Sequence, residues 1–417
     1  MLIDMTIANF KSVKDPQTIS FEAVRDGRLD ESKVVTVNDK LRLIRTAAII
    51  GPNGAGKSSF VRALEALKFI TTAPEDTENP LKILAGTAFA YDADSKTEPA
   101  TIIVRVVLEP GKKDVESVIA QYKIVADYKQ VYEESLYHII GRSKKLMFER
   151  KLDDAALLVA TDSSTVTYKY RWGKMYRGEK KRLVSKIDGQ HSFLTASARK
   201  GGETSMMLYS WIDEKLNILP MGVSQTSEKY LIDQISAHPD WVEQLKNFLW
   251  SLDITDIRDI RVKDDRVIFI HTNVTQHYAS YFSTESLSLR RLCLMGIAFF
   301  ESFTKGRTLV IDDFGMLLHP YVLAHVVEIF EGCNRGYGSQ MLVVDCNPSL
   351  LKPGLMRRDG IYFAEKNPES ATVYFSLANY KYSRSKDKTQ GQYMAGAFGA
   401  LPLLSEFRFV DAQDKEV

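Results

Sequence analysis

Cysteine is scarce: Cys293, Cys333 and Cys346 are the only three in 417 residues, and no two stand at C-x-x-C spacing. That excludes a disulfide framework and a thiolate zinc site, and it fits a reduced, cytoplasmic setting. Long apolar runs are also missing. No stretch reaches the length of a membrane span, and residues 1–12 alternate like a strand instead of carrying a signal sequence's apolar core. No membrane partner is expected. Charge of one sign is lacking too: 55 Lys and Arg against 53 Asp and Glu leave a net charge of +2. No global field therefore draws the chain to nucleic acid or an anionic surface, and any such contact must come from a local patch. What is there, 45% hydrophobic and 26% charged residues, suits a globular chain with a sizeable core.

Residues 42–50 (RLIRTAAII) read as a short apolar strand, and SFVRALEALKFI beyond them has helical periodicity. Between the two, Gly51-Pro-Asn-Gly-Ala-Gly-Lys-Ser58 matches G-x-x-x-x-G-K-[ST]. Glycines let successive main-chain N–H groups turn around a phosphate, and the helix N-terminus adds its positive dipole end. Asn53, Gly54, Ala55, Gly56, Lys57, Ser58 and Ser59 are therefore the candidate nucleotide-binding residues. Lys57 would neutralise the β- and γ-phosphates, and Ser58 would give its hydroxyl to magnesium. ATP and Mg²⁺ are the expected ligands; the plain alternative is a glycine-rich turn.

A second magnesium ligand is expected at the end of an apolar strand, and RTLVID (307–312) supplies Asp312 there, unless that residue merely caps a helix. Asp313 would stand where a general base polarises the attacking water. It is one methylene shorter than glutamate, so hydrolysis is expected to be slow. Upstream, Ser286 opens a helix over 286–304. It either caps that helix or meets the γ-phosphate of a nucleotide held by a second subunit. The phosphate loop and Asp312 lie much further apart than the ~30 residues of a compact βαβ unit. Alternating segments over 88–140, the latter part after a PGKKD hairpin marker, predict an antiparallel meander. The pattern stays strand-like over 145–200 and turns helical over 203–251. DIRDIRVK and RVIFIHT read as two further strands flanking Asp264 and Asp265.

Between residues 168 and 186, Lys169, Arg171, Lys174, Arg177, Lys180, Lys181, Arg182 and Lys186 interleave with Tyr168, Tyr170, Trp172 and Tyr176. Cations can hold phosphates while aromatics stack on bases, so this stretch is a candidate nucleic-acid patch. The same alternation also describes a half-buried strand with a basic outer face, or a dock for an acidic protein.

Several further blocks point one way. Asn9-Phe10-Lys11-Ser12 resembles N-F-[RK]-S, and Glu285-Ser286-Leu287-Ser288-Leu289-Arg290 resembles E-S-x-G-T-x-R. Residues 312–320 (DDFGMLLHP) resemble D-E-x-x-x-x-L-H-P, and Arg357-Arg358-Asp359 with Ile361-Tyr362-Phe363 and Glu365-Lys366 resembles R-R-D-x-I-y-f-x-E-K. Glu134-Ser135-Leu136 and Phe148-Glu149-Arg150 match two short blocks, and residues 393–402 resemble Y-L-x-G-x-x-G-A-x-P. In this order they resemble the RecF-like, overcoming-lysogenisation-defect-like ABC ATPases, specifically the stand-alone family of phage-defence operons. The resemblance implies an α/β fold: a P-loop ABC-type nucleotide-binding head with an N-terminal β meander and an inserted mixed β/helical arm. Residues 1–110 would form the first half of the head, 111–250 the β-rich then helical arm, and 251–417 the rest of the head. It also implies a homodimer or higher homo-oligomer joined through ATP-bound heads, controlling a separate effector such as a nuclease in antiviral defence. The alternative is a RecF-like DNA-binding ATPase of repair. Three departures touch turnover and assembly: Ser288 and Leu289 replace the signature's glycine and threonine, Asp313 replaces glutamate, and Asp345-Cys346-Asn347 replaces T-H-N.

Overall fold

The structure, a computed structural model, describes residues 1–24, 30–109, 117–141, 143–153, 167–184, 187–219, 225–334, 338–380 and 388–407. Its central sheet has six strands in the spatial order Leu216–Leu219, Thr308–Ile311, Gln340–Asp345, Thr46–Ile50, Ile361–Lys366 and Thr372–Ser376. The first five run parallel and the last is antiparallel. TAAII, TLVI and QMLVVD are buried at every position, as parallel strands covered on both faces must be.

Alternation along these strands divides the core. Ala47, Ile49, Val310, Leu342 and Val344 face the helix Lys57–Thr72 and a second sheet. Ala48, Ile50, Leu309, Ile311 and Val343 face the helices Gln225–Ala237, Trp241–Ser251, Leu287–Lys305 and Pro320–Cys333. The phosphate-loop helix and the Ser286 helix thus lie on opposite faces of the central sheet.

The second sheet is an antiparallel array of seven strands: Tyr168–Trp172, Ser143–Leu152, Val131–Ile140, Val118–Ala126, Ala100–Glu109, Leu2–Ala8 and Gln17–Ser20. Strands from the 111–250 segment extend the sheet begun by the N-terminal strands, and Leu216–Leu219 enters the central sheet. A third sheet joins Ile257–Lys263, Arg266–Thr272 and His277–Tyr281. Asp264 and Asp265 turn the first hairpin at φ 50° and 58°, the left-handed pair that a type I′ turn requires.

The structure differs from the sequence pattern in three places. The run 42–50 is two strands, Arg42–Ile44 and Thr46–Ile50, lying in different sheets. The stretch 145–200 ends in the helices Lys180–Val184 and Phe193–Arg199, the second capped by Ser192, whose hydroxyl accepts from Thr195 N at 3.4 Å. Leu216–Leu219, inside the expected helical stretch, is a strand because Thr308–Ile311 pairs with it in parallel; tertiary pairing overrides local propensity. The PGKKD marker (110–114) and Lys186 lie outside the described residues.

Candidate nucleotide site

Ile50, Ile311 and Asp345 end three parallel strands at one edge of the central sheet, since Ile311 is level with Val343 and Asp345 with Ile50. Ligands of open α/β sheets bind in the crevice outside such carboxyl ends. Gly51–Gly56 leaves the strand Thr46–Ile50 there. A Cβ on Gly51 would lie 2.3 Å from the Ala364 carbonyl oxygen, and Gly56, at φ 91°, would place one 2.0 Å from Thr372 Oγ1. Only glycine fits either position.

The loop is held from behind. Thr372 Oγ1 donates to the Ala55 carbonyl at 2.8 Å and lies 2.7 Å from Ser12 Oγ, Ser12 Oγ lies 2.9 Å from Ser59 Oγ, and Tyr374 OH donates to the Gly56 carbonyl at 2.8 Å. Burial pushes the Tyr374 phenol well up, so it stays a donor. The front stays open: among the described residues, no acceptor takes the N–H of Asn53, Gly54, Gly56, Lys57 or Ser58. Lys57, itself buried, donates to the Pro52 carbonyl at 2.9 Å.

Ser58 Oγ donates to Asp312 Oδ1 at 3.2 Å, closing a gap of 254 residues in the chain. Asp312 is 4% exposed, and burial, opposed by the Ser58 hydrogen bond, raises its carboxyl above the usual carboxylate range. Asp313 N also donates to that Oδ1, at 3.1 Å. Asp313 itself is left-handed at φ 46°, and its carbonyl and that of Asp312 both accept from Arg291 Nη2 at 2.7 Å. Asp345 Oδ2 accepts from Gly315 N and Oδ1 from Asn347 N at 2.8 Å, tying the loop after Asp313 to the neighbouring strand.

Ser286 stands apart from this cluster. It caps Leu287–Lys305, its hydroxyl accepting from Leu289 N at 3.2 Å, and its Oγ lies 3.2 Å from Ser288 Oγ. The structure therefore brings Asn53–Ser59, Asp312 and Asp313 together in one chain and leaves Ser286 on the other face of the sheet.

A family model described as "AAA domain, putative AbiEii toxin, Type IV TA system" matches residues 47–344. The chain belongs to that family. Its domain is of the AAA type. Among curated proteins, none matches the sequence. Solved structures with a general likeness include the SMC head domain from Thermotoga maritima, 12% identical at a TM-score of 0.41, covering 90% of this chain and 98% of that one. An SmcHead bound to the C-winged helix domain of ScpA is 12% identical at 0.44, covering 90% and 97%. The Smc head with an extended coiled coil bound to the C-terminal domain of ScpA, from Pyrococcus furiosus, is 10% identical at 0.43, covering 90% and 96%. Nothing about function rests on likenesses this distant.

Three supports of this AAA-type site escape sequence reading. Thr372 and Tyr374 sit in an ordinary strand, TVYFS, and the arginine of E-S-x-G-T-x-R falls on Arg291 without saying that it holds the main chain at Asp312 and Asp313. Only the N-F-K-S block signalled any of this backing. Asn9 Nδ2 donates to the Ser95 and Glu98 carbonyls at 2.8 Å each, Phe10 is buried, and the turn so fixed delivers Ser12 to the loop.

The basic stretch is organised differently. Tyr168–Trp172 is the edge strand of the antiparallel sheet, with Tyr170 and Trp172 packed on the core around Phe193 at ring distances of 5.6 Å. Tyr176 is buried. On the outer face, Lys169 pairs with Asp153 at 2.8 Å and Arg171 with Glu149 at 3.1 Å. The interleaving is the signature of a half-buried strand.

Proposed function

We propose that this protein binds Mg²⁺·ATP between the phosphate loop and Asp312 and acts as a nucleotide-driven switch with slow hydrolysis. One observation carries the reading: the Ser58 hydroxyl and the buried Asp312 carboxylate, 254 residues apart in the chain, meet at 3.2 Å beside a loop with open N–H groups. The donor set fits the ion. Magnesium takes hard oxygen ligands, and a carboxyl whose charge burial penalises is one that a cation relieves. Bound there, the ion would neutralise charge on the β- and γ-phosphates. Lys57 would swing from the Pro52 carbonyl to the phosphates, the open amides would hold them, and Asp313 would orient water.

Ser286 would complete the site of a second copy, so that ATP joins two heads into a homodimer or larger homo-oligomer. The segment 111–250 is proposed as the arm that meets a separate effector, such as a nuclease, in a phage-defence setting. The family's description as a putative toxin of a toxin–antitoxin system supports a separate protein partner. The RecF-like repair alternative needs a nucleic-acid surface, and the aromatics of 168–176 are packed on the core instead.

Calorimetry with Mg²⁺·ATP tests the binding, and light scattering with and without nucleotide tests the assembly. No uptake of Mg²⁺·ATP sinks the reading. Salt-sensitive DNA binding lost when Lys180, Lys181 and Arg182 are changed to Ala supports repair instead.

A further inference from the structure

We infer that His271 is a positioning residue for the signature segment: it anchors Glu285, the residue before Ser286, through a charged bridge to Asp256. The inference rests on the proposed role of Ser286 at a second subunit's nucleotide. His271 belongs to the strand Arg266–Thr272 of the three-stranded sheet, and its side chain is 5% exposed. Nδ1 lies 2.8 Å from Asp256 Oδ2, and Nε2 lies 2.9 Å from Glu285 Oε1. Each ring nitrogen thus faces a carboxylate oxygen. A carboxylate accepts and cannot donate, so making both bonds takes an N–H on each nitrogen, which is the imidazolium. The Tyr278 ring stacks on the imidazole at 4.6 Å with 5° between the planes, a geometry that favours a cation.

Asp256, His271 and Ser280 together have the outline of a nucleophile relay, with Ser280 Oγ 3.0 Å from Nε2. Glu285 rules that out. Its Oε1 accepts from both Ser280 Oγ and Nε2, so the hydroxyl points its proton at a carboxylate and the ring nitrogen has no lone pair to offer. The chemistry left to the cluster is to hold Glu285 in place.

That hold bears on Ser286. Phe282 is buried at the start of the short turn Phe282–Thr284, and Glu285 N donates to the Tyr281 carbonyl at 3.2 Å. Ser286 follows at once, at the start of Leu287–Lys305. The main chain fixes this turn from one side and the His271 bridge fixes it from the other. The groups facing the bridge are Asp256, 57% exposed to solvent, Glu285, Ser280 and Tyr278, with the buried Cys293 thiol next to Glu285 on the helix side. Without the ring, Glu285 loses its tie to this sheet, and the presentation of Ser286 loosens with it.

The test compares the full-length wild type, His271→Asn and Glu285→Gln, using a non-hydrolysable ATP analogue with magnesium. Fluorescent-nucleotide titration reads binding by each head, and sedimentation reads self-association. All three proteins are expected to bind nucleotide within about twofold of one another. Both variants are expected to associate on the order of tenfold more weakly than the wild type, the weight of one charge-assisted hydrogen bond. Variants that keep the wild-type strength of association overturn the inference and leave the shared site intact. A wild type that binds nucleotide but never associates overturns the shared site, and the inference with it. Should one variant fail to bind nucleotide, the other decides alone, and wild-type association by it overturns the inference.

Discussion

Thr372, Ser12 and Tyr374 hold the phosphate loop from behind with hydrogen bonds of 2.7–2.9 Å, whereas Ser286 is held mainly by its own helix, bonded to Leu289 N at 3.2 Å. The first half of the proposed site is closed by contacts between segments hundreds of residues apart. The second is a local cap, which the proposed assembly would bring to another copy. The difference separates two tasks. Gripping a triphosphate needs a pre-formed cradle, because loop ordering would otherwise be deducted from affinity. Joining two heads needs only a presented surface, and a reversible switch gains from keeping that contact weak. Ser288, Leu289, Asp313 and Cys346, where the chain departs from the RecF-like pattern that it resembles, all fall on the proposed assembly and turnover side.

The sharpest way to break this comparison is Lys57→Ala. Removing the cation should weaken Mg²⁺·ATP binding by about a hundredfold, the upper range for losing a charge-assisted bond to phosphate, as read by calorimetry. An unchanged affinity would show that the cradle is not the grip. Asp312→Asn comes next. It should lower the magnesium-dependent part of affinity about tenfold, as for the loss of one charged ligand contact. It should also stabilise the nucleotide-free protein. Burial raises the Asp312 carboxyl, so its ionised form is the costly one, and the cost grows as pH rises through its titration. Asn removes that cost. At pH 7 the variant should melt about 1–2 °C higher, and the gain should vanish below about pH 4. Ser286→Ala should spare binding and weaken ATP-dependent association about fivefold, while the lost cap costs about 1 kcal/mol in a melting experiment.

Much of the first half was legible because its chemistry is local. The phosphate loop needs glycines at fixed spacing, and the structure shows why at Gly51 and Gly56, where a side chain would meet Ala364 or Thr372. Asp312 was legible as the end of an apolar strand, and its meeting with Ser58 was expected from the chemistry of a shared magnesium ion, since no periodicity says that residue 312 meets residue 58. Thr372 and Tyr374 were illegible, since ordinary residue types acquire such roles through tertiary contact alone. The blocks at 134–136 and 148–150 show the converse. Arg150 Nε donates to Glu134 Oε2 at 2.9 Å with both side chains fully buried, and Glu134 also accepts from Phe193 N and Leu194 N at 2.8 and 2.7 Å. A recognisable motif there is a buried polar latch on a helix start, which a sequence cannot tell from a site.

The smallest expected effect concerns the one surface that competed with the nucleotide site for a role. Lys169 and Arg171 project from an edge strand whose other face, Tyr170 and Trp172, is committed to the core. Their partners Asp153 and Glu149 already offset their charge, and pairs whose cation lies in solvent, as both do here, contribute only about 0.2–1 kcal/mol. The double variant Lys169→Ala with Arg171→Ala should therefore leave ATP affinity unchanged and shift the melting temperature by less than about 2 °C. A gel shift in low salt should change by less than about twofold, because cations already paired release few counterions from DNA. A tenfold loss of DNA binding would mean that those pairs open for phosphate, and the basic strand would then join the nucleotide cradle as a working surface of the molecule.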